Sequence, residues 1–347
     1  MRVLLASLAL AFLPGCGTMY IAQAAHGQWE VLHDRRPIEA VMSDASTPAA
    51  LRSRLAAVRD ARDFASQQLG LPDNKSYRSF ADLKRTFVVW NVVATPEFSV
   101  EPVRWCFPIA GCVAYRGYFA EKHAQAFGAR LHKRGFDVVV DGVPAYSTLG
   151  RFADPVLNTM LIYGDRELAA IIFHELAHQL IYVADDSEFN EAFAVTVEET
   201  GLERWLGFTG RKEELIEYRA ERSRDFAFNT LFTDRRAQLA RLYAAKIPAE
   251  AMRERKREQF EALAQDIRDL ERRQGRSSGY EEWILAGLNN AHLASVATYF
   301  DCVPGFERLL AQEDGDLPRF YAAVRALARE PHAQRHRELC APSAQGN

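Results

Sequence analysis

Two histidines four positions apart, His174 and His178, constrain this chain more than any other feature. Residues at this spacing lie on one face of a helix, so both imidazoles can reach a single metal ion. Glu175 follows the first histidine and points near the same ion without having to bind it. It is therefore placed to take a proton from a water molecule on the metal. The spacing predicts a metal-binding helix that carries its own general base.

The residues around the two histidines favour a buried helix. Asp165 can cap its start, and Glu167 suits the positive end of the helix dipole. Residues 168–181 are apolar nearly all round, and Asp185 and Asp186 break the pattern. Burying two histidines and a glutamate without a task would be costly, although a pair of hydrogen-bonded core histidines is the alternative.

A third ligand is expected soon afterwards, because a catalytic zinc ion takes three protein ligands and a water molecule. Ser187 can cap a second helix, and Glu191 lies thirteen positions after His178, which leaves room for a turn and an antiparallel return. Glu198 lies seven residues further on, on the same helix face. It could accept the free N–H of a ligand histidine and orient that ring. The alternative for Glu198 is a solvated helix residue.

The segments 174–178 (H-E-L-A-H) and 190–198 (N-E-A-F-A-V-T-V-E) resemble the gluzincin pattern of zinc aminopeptidases of the alanyl-aminopeptidase class. In that class the glutamate of the Asn-Glu pair is the third zinc ligand, a role that the resemblance gives to Glu191. The linking segment is shorter here. More of the chain resembles a family of bacterial lipoproteins described as predicted aminopeptidases, in stretches that span most of 17–330. Besides the zinc segment, the similar stretches are 105–112, 115–119, 142–150 and 288–291.

Residues 1–15 are typical of a lipoprotein signal peptide. A single early arginine precedes an apolar run of eleven residues, too short to span a bilayer, which needs about 20. The tetrapeptide 13–16 (L-P-G-C) resembles a lipobox, in which the cysteine, here Cys16, is lipidated. Gly17 in place of aspartate favours the outer membrane of a bacterial cell envelope, facing the periplasm. An ordinary cleaved signal peptide is the alternative.

Four cysteines remain after Cys16, an even number that suits disulfides in an oxidising compartment. Three connectivities are possible. We expect Cys106–Cys112, which closes a short loop, and Cys302–Cys340, which clamps the C-terminal helices. Free buried thiols are the alternative.

Composition indicates an ordinary globular protein, with 347 residues, 48% hydrophobic, 26% charged and a net charge of −3. The near-neutral balance argues against a nucleic-acid partner. We expect a mostly helical α+β fold. Its parts are a zincin-like core with a small mixed sheet at 16–210, a long helical hairpin at 211–279, and C-terminal helices at 280–347 that pack back on the core. Strands are expected at 87–93 and 136–143. Helices are expected at 17–33, 48–69, 120–134, 281–299 and 306–329.

The segment 144–150 is expected to be extended and to form the edge strand of the zincin sheet. It precedes the metal helix by about 25 residues, the usual distance in the resembling class. A peptide can lie along such an edge as an added strand. In gluzincin aminopeptidases this segment carries a glutamate that binds the free amine of the substrate, and here 143–147 is Val-Pro-Ala-Tyr-Ser. The missing glutamate keeps open an endopeptidase that acts on envelope proteins.

The sequence therefore predicts a zinc-dependent peptidase that is anchored to the membrane by a lipid and takes a peptide or protein substrate. One zinc ion would be held by His174, His178 and Glu191, with Glu175 as the general base. The resemblance favours an aminopeptidase.

The developing oxyanion needs a hydrogen-bond donor, and Tyr115, Tyr146 and Tyr299 are candidates, although a packing role is the more common one for such a tyrosine. A different class of function is a lipid-anchored assembly protein that keeps zinc for stability and uses the helical hairpin as a binding arm. A structural zinc site would normally be closed by a fourth protein ligand, usually cysteine, and no cysteine lies near the motif.

Overall fold

The computed structural model describes residues 16–107 and 111–340. The predicted signal peptide, 1–15, lies outside the described residues, as does the side chain of Cys16. Within the two ranges the chain forms thirteen helices and eight short strands, which confirms the prediction of a mostly helical α+β fold. Among these helices, none combines the length and the apolar character needed to cross a bilayer.

Short strands are concentrated in the first part of the described chain, and long helices follow. The first part contains α1 (Cys16–His33), β1 (Arg36–Pro37), α2 (Ile38–Ser43), α3 (Ala49–Leu69), β2 (Ser79–Ala81), β3 (Val89–Pro96), β4 (Trp105–Phe107), β5 (Gly111–Val113), β6 (Arg116–Tyr118), α4 (Glu121–His132), β7 (Phe136–Val143) and β8 (Val156–Leu157). The second part contains α5 (Asp165–Leu180), α6 (Ser187–Phe208), α7 (Lys212–Tyr243), α8 (Ala249–Gln274), α9 (Glu281–Ala286), α10 (Asn290–Phe300), α11 (Val303–Gln312), α12 (Leu317–Leu327) and α13 (His332–Leu339).

The central sheet places β3 between β6 and β7, and both neighbours run antiparallel to it. Alternate residues of β3 point to opposite faces. Val92 and Ala94 pack with α4, whereas Val93 packs with Ala291 of α10. Two smaller sheets, β1–β2–β8 and the pair β4–β5, lie outside this one. The sheet is therefore covered by a helix on each face, α4 on one and α10 on the other.

The expected edge strand at 144–150 does not form a strand ladder. Pro144 follows β7 directly and has no N–H to donate to a neighbouring strand. Its carbonyl instead accepts the hydroxyl of Thr159 at 2.6 Å. The far end of the segment is turned by the carboxylate of Asp154, which accepts the backbone N–H and the hydroxyl of Thr148 at 3.0 and 2.8 Å.

Two stretches predicted as single helices are each divided. In 281–299 the break is at Gly287, whose φ of +95° is a conformation that L side chains rarely adopt, and Asn289 then caps α10. In 306–329 the break follows α11, where Gly315 has φ +72°. A glycine followed by a capping residue marks each break in the sequence.

The main core is formed where α3, α5, α6, α11 and α12 meet. The largest fully buried side chains of this hydrophobic cluster are aromatic: Tyr77, Phe173, Phe189, Phe193, Phe306 and Phe320. A second core joins α7 and α8 to α10, and these two long helices occupy the residues for which the helical hairpin is predicted. Burial of these apolar faces is the main stabilising term of the fold.

Both predicted disulfides, Cys106–Cys112 and Cys302–Cys340, are present, so this prediction is confirmed. The first joins the paired strands β4 and β5 across six residues of chain. The second spans 38 residues and ties the start of α11 to the end of α13.

The longer disulfide should contribute more to stability, because it removes more freedom from the unfolded chain. The chain-entropy relation gives about 4 kcal/mol for Cys302–Cys340 and about 2 kcal/mol for Cys106–Cys112. Urea unfolding under oxidising conditions of the two double-serine variants should therefore show the larger loss for Cys302→Ser with Cys340→Ser. A larger loss for the Cys106–Cys112 pair would contradict the prediction.

Candidate metal centre

The helices α5 and α6 carry the predicted ligands, and the N-cap of each lies one residue before the predicted position. Gly164, and not Asp165, is the N-cap of α5. Asp186, and not Ser187, caps α6, and its carboxylate accepts the N–H of Phe189 at 3.3 Å. A carboxylate also interacts favourably with the positive end of the helix dipole, which a serine hydroxyl does not do. α6 therefore starts at a charged cap, whereas the cap of α5 has no side chain.

The three predicted ligands meet at the corners of a nearly equilateral triangle. The Nε2 atoms of His174 and His178, both on α5, lie 3.1 Å apart. The Oε2 atom of Glu191, on α6, lies 3.3 Å from the first of these and 3.4 Å from the second. The two imidazole planes are 84° apart, so one ion can lie in both planes.

A divalent metal ion fits this triangle. Tetrahedral ligands at about 2.0–2.1 Å from an ion lie about 3.3 Å from one another, which matches the three distances. His174, His178 and Glu191 also line a cavity of about 760 Å³, so the fourth coordination position has space for a water molecule or a substrate. The residues present therefore suit an open, catalytic type of site rather than a closed, structural one.

Two other groups of possible ligands among the described residues fit a metal less well. In one of them, Cys302 and Cys340 are consumed by their disulfide. In the other, the rings of His332 and His336 are stacked beside Asp186 with planes only 19° apart. Since one ion cannot lie in the planes of two stacked rings, the triangle on α5 and α6 is the candidate metal centre.

Glu198 lies where the sequence predicts a partner for a ligand histidine. Its Oε2 atom is 2.9 Å from Nδ1 of His174. In the tautomer with a proton on Nδ1, this N–H donates to the carboxylate and the Nε2 lone pair is free for a metal. His178 differs, because its buried Nδ1 has no hydrogen-bond partner among the described residues. A hydrogen bond therefore fixes the orientation of the His174 ring, and no such bond fixes that of the His178 ring.

The electrostatics of the site keep its carboxylate anionic. Burial raises the pKa of Glu191, but the neighbouring His178 and His174 outweigh this effect and lower the pKa to about 2. Burial lowers the pKa of His174, yet its hydrogen bonds with Glu191 and Glu198 raise that pKa well above the usual value. A cation is thus favoured among these groups, and a metal ion would compete with a proton for the position.

Glu175 is close to the triangle but is not part of it. Its side chain is buried, and Oε2 has no hydrogen-bond partner among the described residues. Burial raises the pKa of its carboxyl group, and the neighbouring His174 and His178 oppose this rise. A buried carboxyl group with a raised pKa and an unused oxygen can accept a proton and release it again.

The predicted oxyanion donors all line the cavity. Burial and the charge of Glu191 raise the pKa of Tyr115 well above its usual value. Glu191 and burial do the same to the pKa of Tyr299. Both hydroxyls therefore stay protonated near neutral pH and can donate. Tyr146 already donates its hydroxyl to Oε1 of Gln28.

The link 181–186 between α5 and α6 is fixed by contacts that the sequence analysis missed. Oδ1 of Asn190 accepts the N–H of Val183 at 2.8 Å, and its Nδ2 donates to the carbonyl of the same residue at 2.7 Å. The N–H of Cys112 donates to Oδ1 of Asp185 at 2.6 Å. The sequence did contain a sign of the contact between Asn190 and Val183, namely the Asn-Glu pair at 190–191. Asn190 fixes the link, and Glu191 faces the metal position.

Asp186 ties this link to the C-terminal helix α13. Its carboxylate is fully buried and accepts two hydrogen bonds from the guanidinium of Arg335, at 2.7 and 3.0 Å. Its other oxygen lies 2.8 Å from Nε2 of His336. Arg335 and His336 offered no signal in the sequence, because a contact between residues so far apart in the chain has no periodic pattern.

A family model described as "Putative aminopeptidase" matches residues 19–339. The chain belongs to this family. The matched region extends from α1 to α13 and includes every candidate site residue from Tyr115 to Tyr299. No match was found among curated proteins or among solved structures.

Metal binding by this family member should depend on the triangle. We expect His174→Ala, His178→Ala and Glu191→Gln each to remove stoichiometric zinc, measured by elemental analysis after dialysis against a zinc buffer. Glu198→Gln should weaken affinity by about 10–100-fold without abolishing binding, because it orients a ligand instead of binding the ion. Glu203→Gln, further along the same helix, serves as the control and should keep wild-type affinity. Stoichiometric zinc in Glu191→Gln would assign the third ligand elsewhere.

Proposed function

We propose that this protein is a zinc-dependent aminopeptidase with a zincin-like catalytic core. The observation that carries the proposal is the triangle of His174, His178 and Glu191, with Glu175 beside it and its Oε2 unused. Membership of the aminopeptidase family agrees with a peptide substrate. Two imidazoles and one carboxylate, without a cysteine, are a ligand set of catalytic zinc sites in hydrolases.

The arrangement of elements supports a zincin-like core. α5 and α6 run antiparallel, because His178 lies close to Glu191 while His174, one turn earlier, lies close to Glu198. The strands β3, β6 and β7 contribute residues to the lining of the same cavity as this helix pair. The segment that follows β7 also lines the cavity, through Pro144, Ala145, Tyr146, Ser147 and Leu149.

When bound, zinc supplies a Lewis acid and a coordinated water molecule of lowered pKa. Glu175 accepts the proton of the attacking water on its unused oxygen and delivers it to the leaving amine. Tyr115 and Tyr299 donate hydrogen bonds to the developing oxyanion, since their hydroxyls remain protonated. Glu198 keeps the ring of His174 in the orientation that the reaction requires.

Glu175→Gln should separate chemistry from metal binding. We expect this variant to retain zinc and fold, because Glu175 is not a corner of the triangle. It should lose hydrolysis of an unblocked peptide by at least about 10²–10⁴-fold, the usual contribution of a general base. The measurement is kcat with zinc content determined on the same sample. Equal turnover by wild type and variant would exclude the mechanism.

Acetylation of the substrate distinguishes an aminopeptidase from the alternative endopeptidase. The segment 143–147 lacks a glutamate for the substrate amine, which is the one observation that favours the endopeptidase. We expect the wild type to cleave an unblocked peptide and to leave its N-acetylated form intact. Cleavage of the acetylated peptide at a similar rate would support the endopeptidase instead.

We propose further that the protein is lipid-anchored through Cys16 in the bacterial cell envelope, on the periplasmic face of the outer membrane. The support is the lipobox-like 13–16 and the glycine that follows it. Cys16→Ser should move the protein from the membrane fraction to the soluble fraction, as seen by fractionation and immunoblotting. Cys106→Ser is the matched control, since it removes a cysteine that the proposal does not lipidate, and it should stay with the membrane. Membrane retention of Cys16→Ser would contradict the anchor.

A further inference from the structure

Helix α1 forms one wall of the cavity that contains the candidate metal centre. Ile21, Ala24, Ala25 and Gln28 face this cavity together with the triangle. The helix begins at Cys16 and runs past the outer edge of β6, the strand that pairs only with β3 in the described sheet. The position of α1 therefore limits the part of this cavity, the proposed substrate cleft, that a bound peptide can occupy.

Gln23 of α1 occupies the outer edge of β6. Its Nε2 donates to the carbonyl of Gly117 at 3.5 Å, and its Oε1 accepts the N–H of Phe119 at 3.2 Å. A residue of a neighbouring parallel strand would bond to the same carbonyl and the same N–H. The side-chain amide therefore takes the place of one peptide group, and no substrate strand can add to this edge while α1 is in place.

The helix is held closely against this edge. Gly27 faces the ring of Phe119, and a Cβ at this glycine would lie 2.1 Å from Cγ of that ring. Tyr20 stacks on Phe107 with 5.3 Å between ring centroids, and the guanidinium of Arg116 lies 4.1 Å from the Tyr20 centroid. A side chain at position 27 would therefore require either the Phe119 ring to move or α1 to separate from β6.

Gln28 carries a hydrogen-bond donor that the fold itself does not use. Its Oε1 accepts the hydroxyl of Tyr146, which fixes the orientation of the amide. Its Nε2 is buried and has no hydrogen-bond partner among the described residues, and Gln28 lines the cavity. Because an unpaired buried donor is costly, this atom is suited to bind an oxygen of a ligand.

We propose that α1 closes the β6 side of the cleft and restricts the substrate to short peptides, one oxygen of which is bound by Nε2 of Gln28. This inference rests on the proposed peptidase function and adds its substrate class. The cavity volume of about 760 Å³ lies in the range of about 300–1,000 Å³ that is usual for pockets of small ligands.

The test compares two unblocked peptides, Leu-Gly-Gly and a dodecapeptide that begins with the same three residues. For the wild type we expect kcat/KM to be at least about tenfold higher for the tripeptide. Gly27→Leu, which displaces α1, should bring the two values within about threefold of each other. Ala22→Leu adds the same side chain on the exposed side of α1 and is the control, with the wild-type ratio. Equal values for the two peptides in the wild type would overturn the proposal.

Gln28→Glu tests the binding atom separately. Glutamate keeps the size and the acceptor for Tyr146 but replaces the N–H donor by an oxygen. We expect KM for the tripeptide to rise by about tenfold and kcat to change by less than about twofold. An unchanged KM would remove Gln28 from the site.

Two measurements on the metal-free protein distinguish this inference from the peptidase proposal. Hydrogen exchange of the Phe119 amide should be slow in the wild type and fast in Gly27→Leu, and fast exchange in the wild type would show that α1 does not cover β6. Calorimetric titration should show tighter binding of the tripeptide than of the dodecapeptide, a difference that Gly27→Leu removes. If the zinc-loaded wild type hydrolyses neither peptide but this preference persists, the peptidase proposal fails and the inference stands. Absence of both hydrolysis and binding would overturn both.

Discussion

Six residues, the link 181–186, determine whether the three metal-binding side chains can meet. α5 fixes two histidines by helical spacing alone, but a carboxylate on another helix reaches them only if the intervening turn has one conformation. The structure holds this turn from three directions: by the amide of Asn190, by the disulfide-bonded strands β4 and β5, and by α13. Each contact acts on a different residue of the link, so displacement of the link would require all three to give way together.

A fixed link keeps the charged side chains of the site close to their partners. Three ionisable side chains lie within an apolar core, and each would be costly there without partners. The carboxylate of Glu191 compensates the two imidazoles, and Glu198 compensates the outer nitrogen of one of them. Oε2 of Glu175 and Nδ1 of His178 have no hydrogen-bond partner among the described residues. The charges of the triangle are thus compensated, and one of the unpaired atoms, Oε2 of Glu175, lies where proton transfer is proposed.

Sequence reasoning succeeded where the signal is local and failed where it is tertiary. The i, i+4 spacing of the histidines and the loop lengths of the disulfides carried enough information to predict which groups meet. The segment 144–150 was expected to be a strand because its distance from the helix was right, but Pro144 cannot extend the ladder. The contact between Gln23 and β6 joins residues 94 and 96 positions apart, and neither partner has a distinctive pattern. Residue propensities and hydrophobic periodicity therefore do not predict contacts between such distant residues.

The bond between Asp186 and α13 sets an order of events for the whole molecule. Arg335 and His336 lie 149 and 150 positions after the aspartate that they hold. During synthesis, which runs from the N-terminus, His174 and His178 emerge long before the residues that complete the turn. A nascent chain therefore presents two histidines without a fixed carboxylate. Under the proposed metal binding, the three ligands would be held together only after α13 has docked on Asp186.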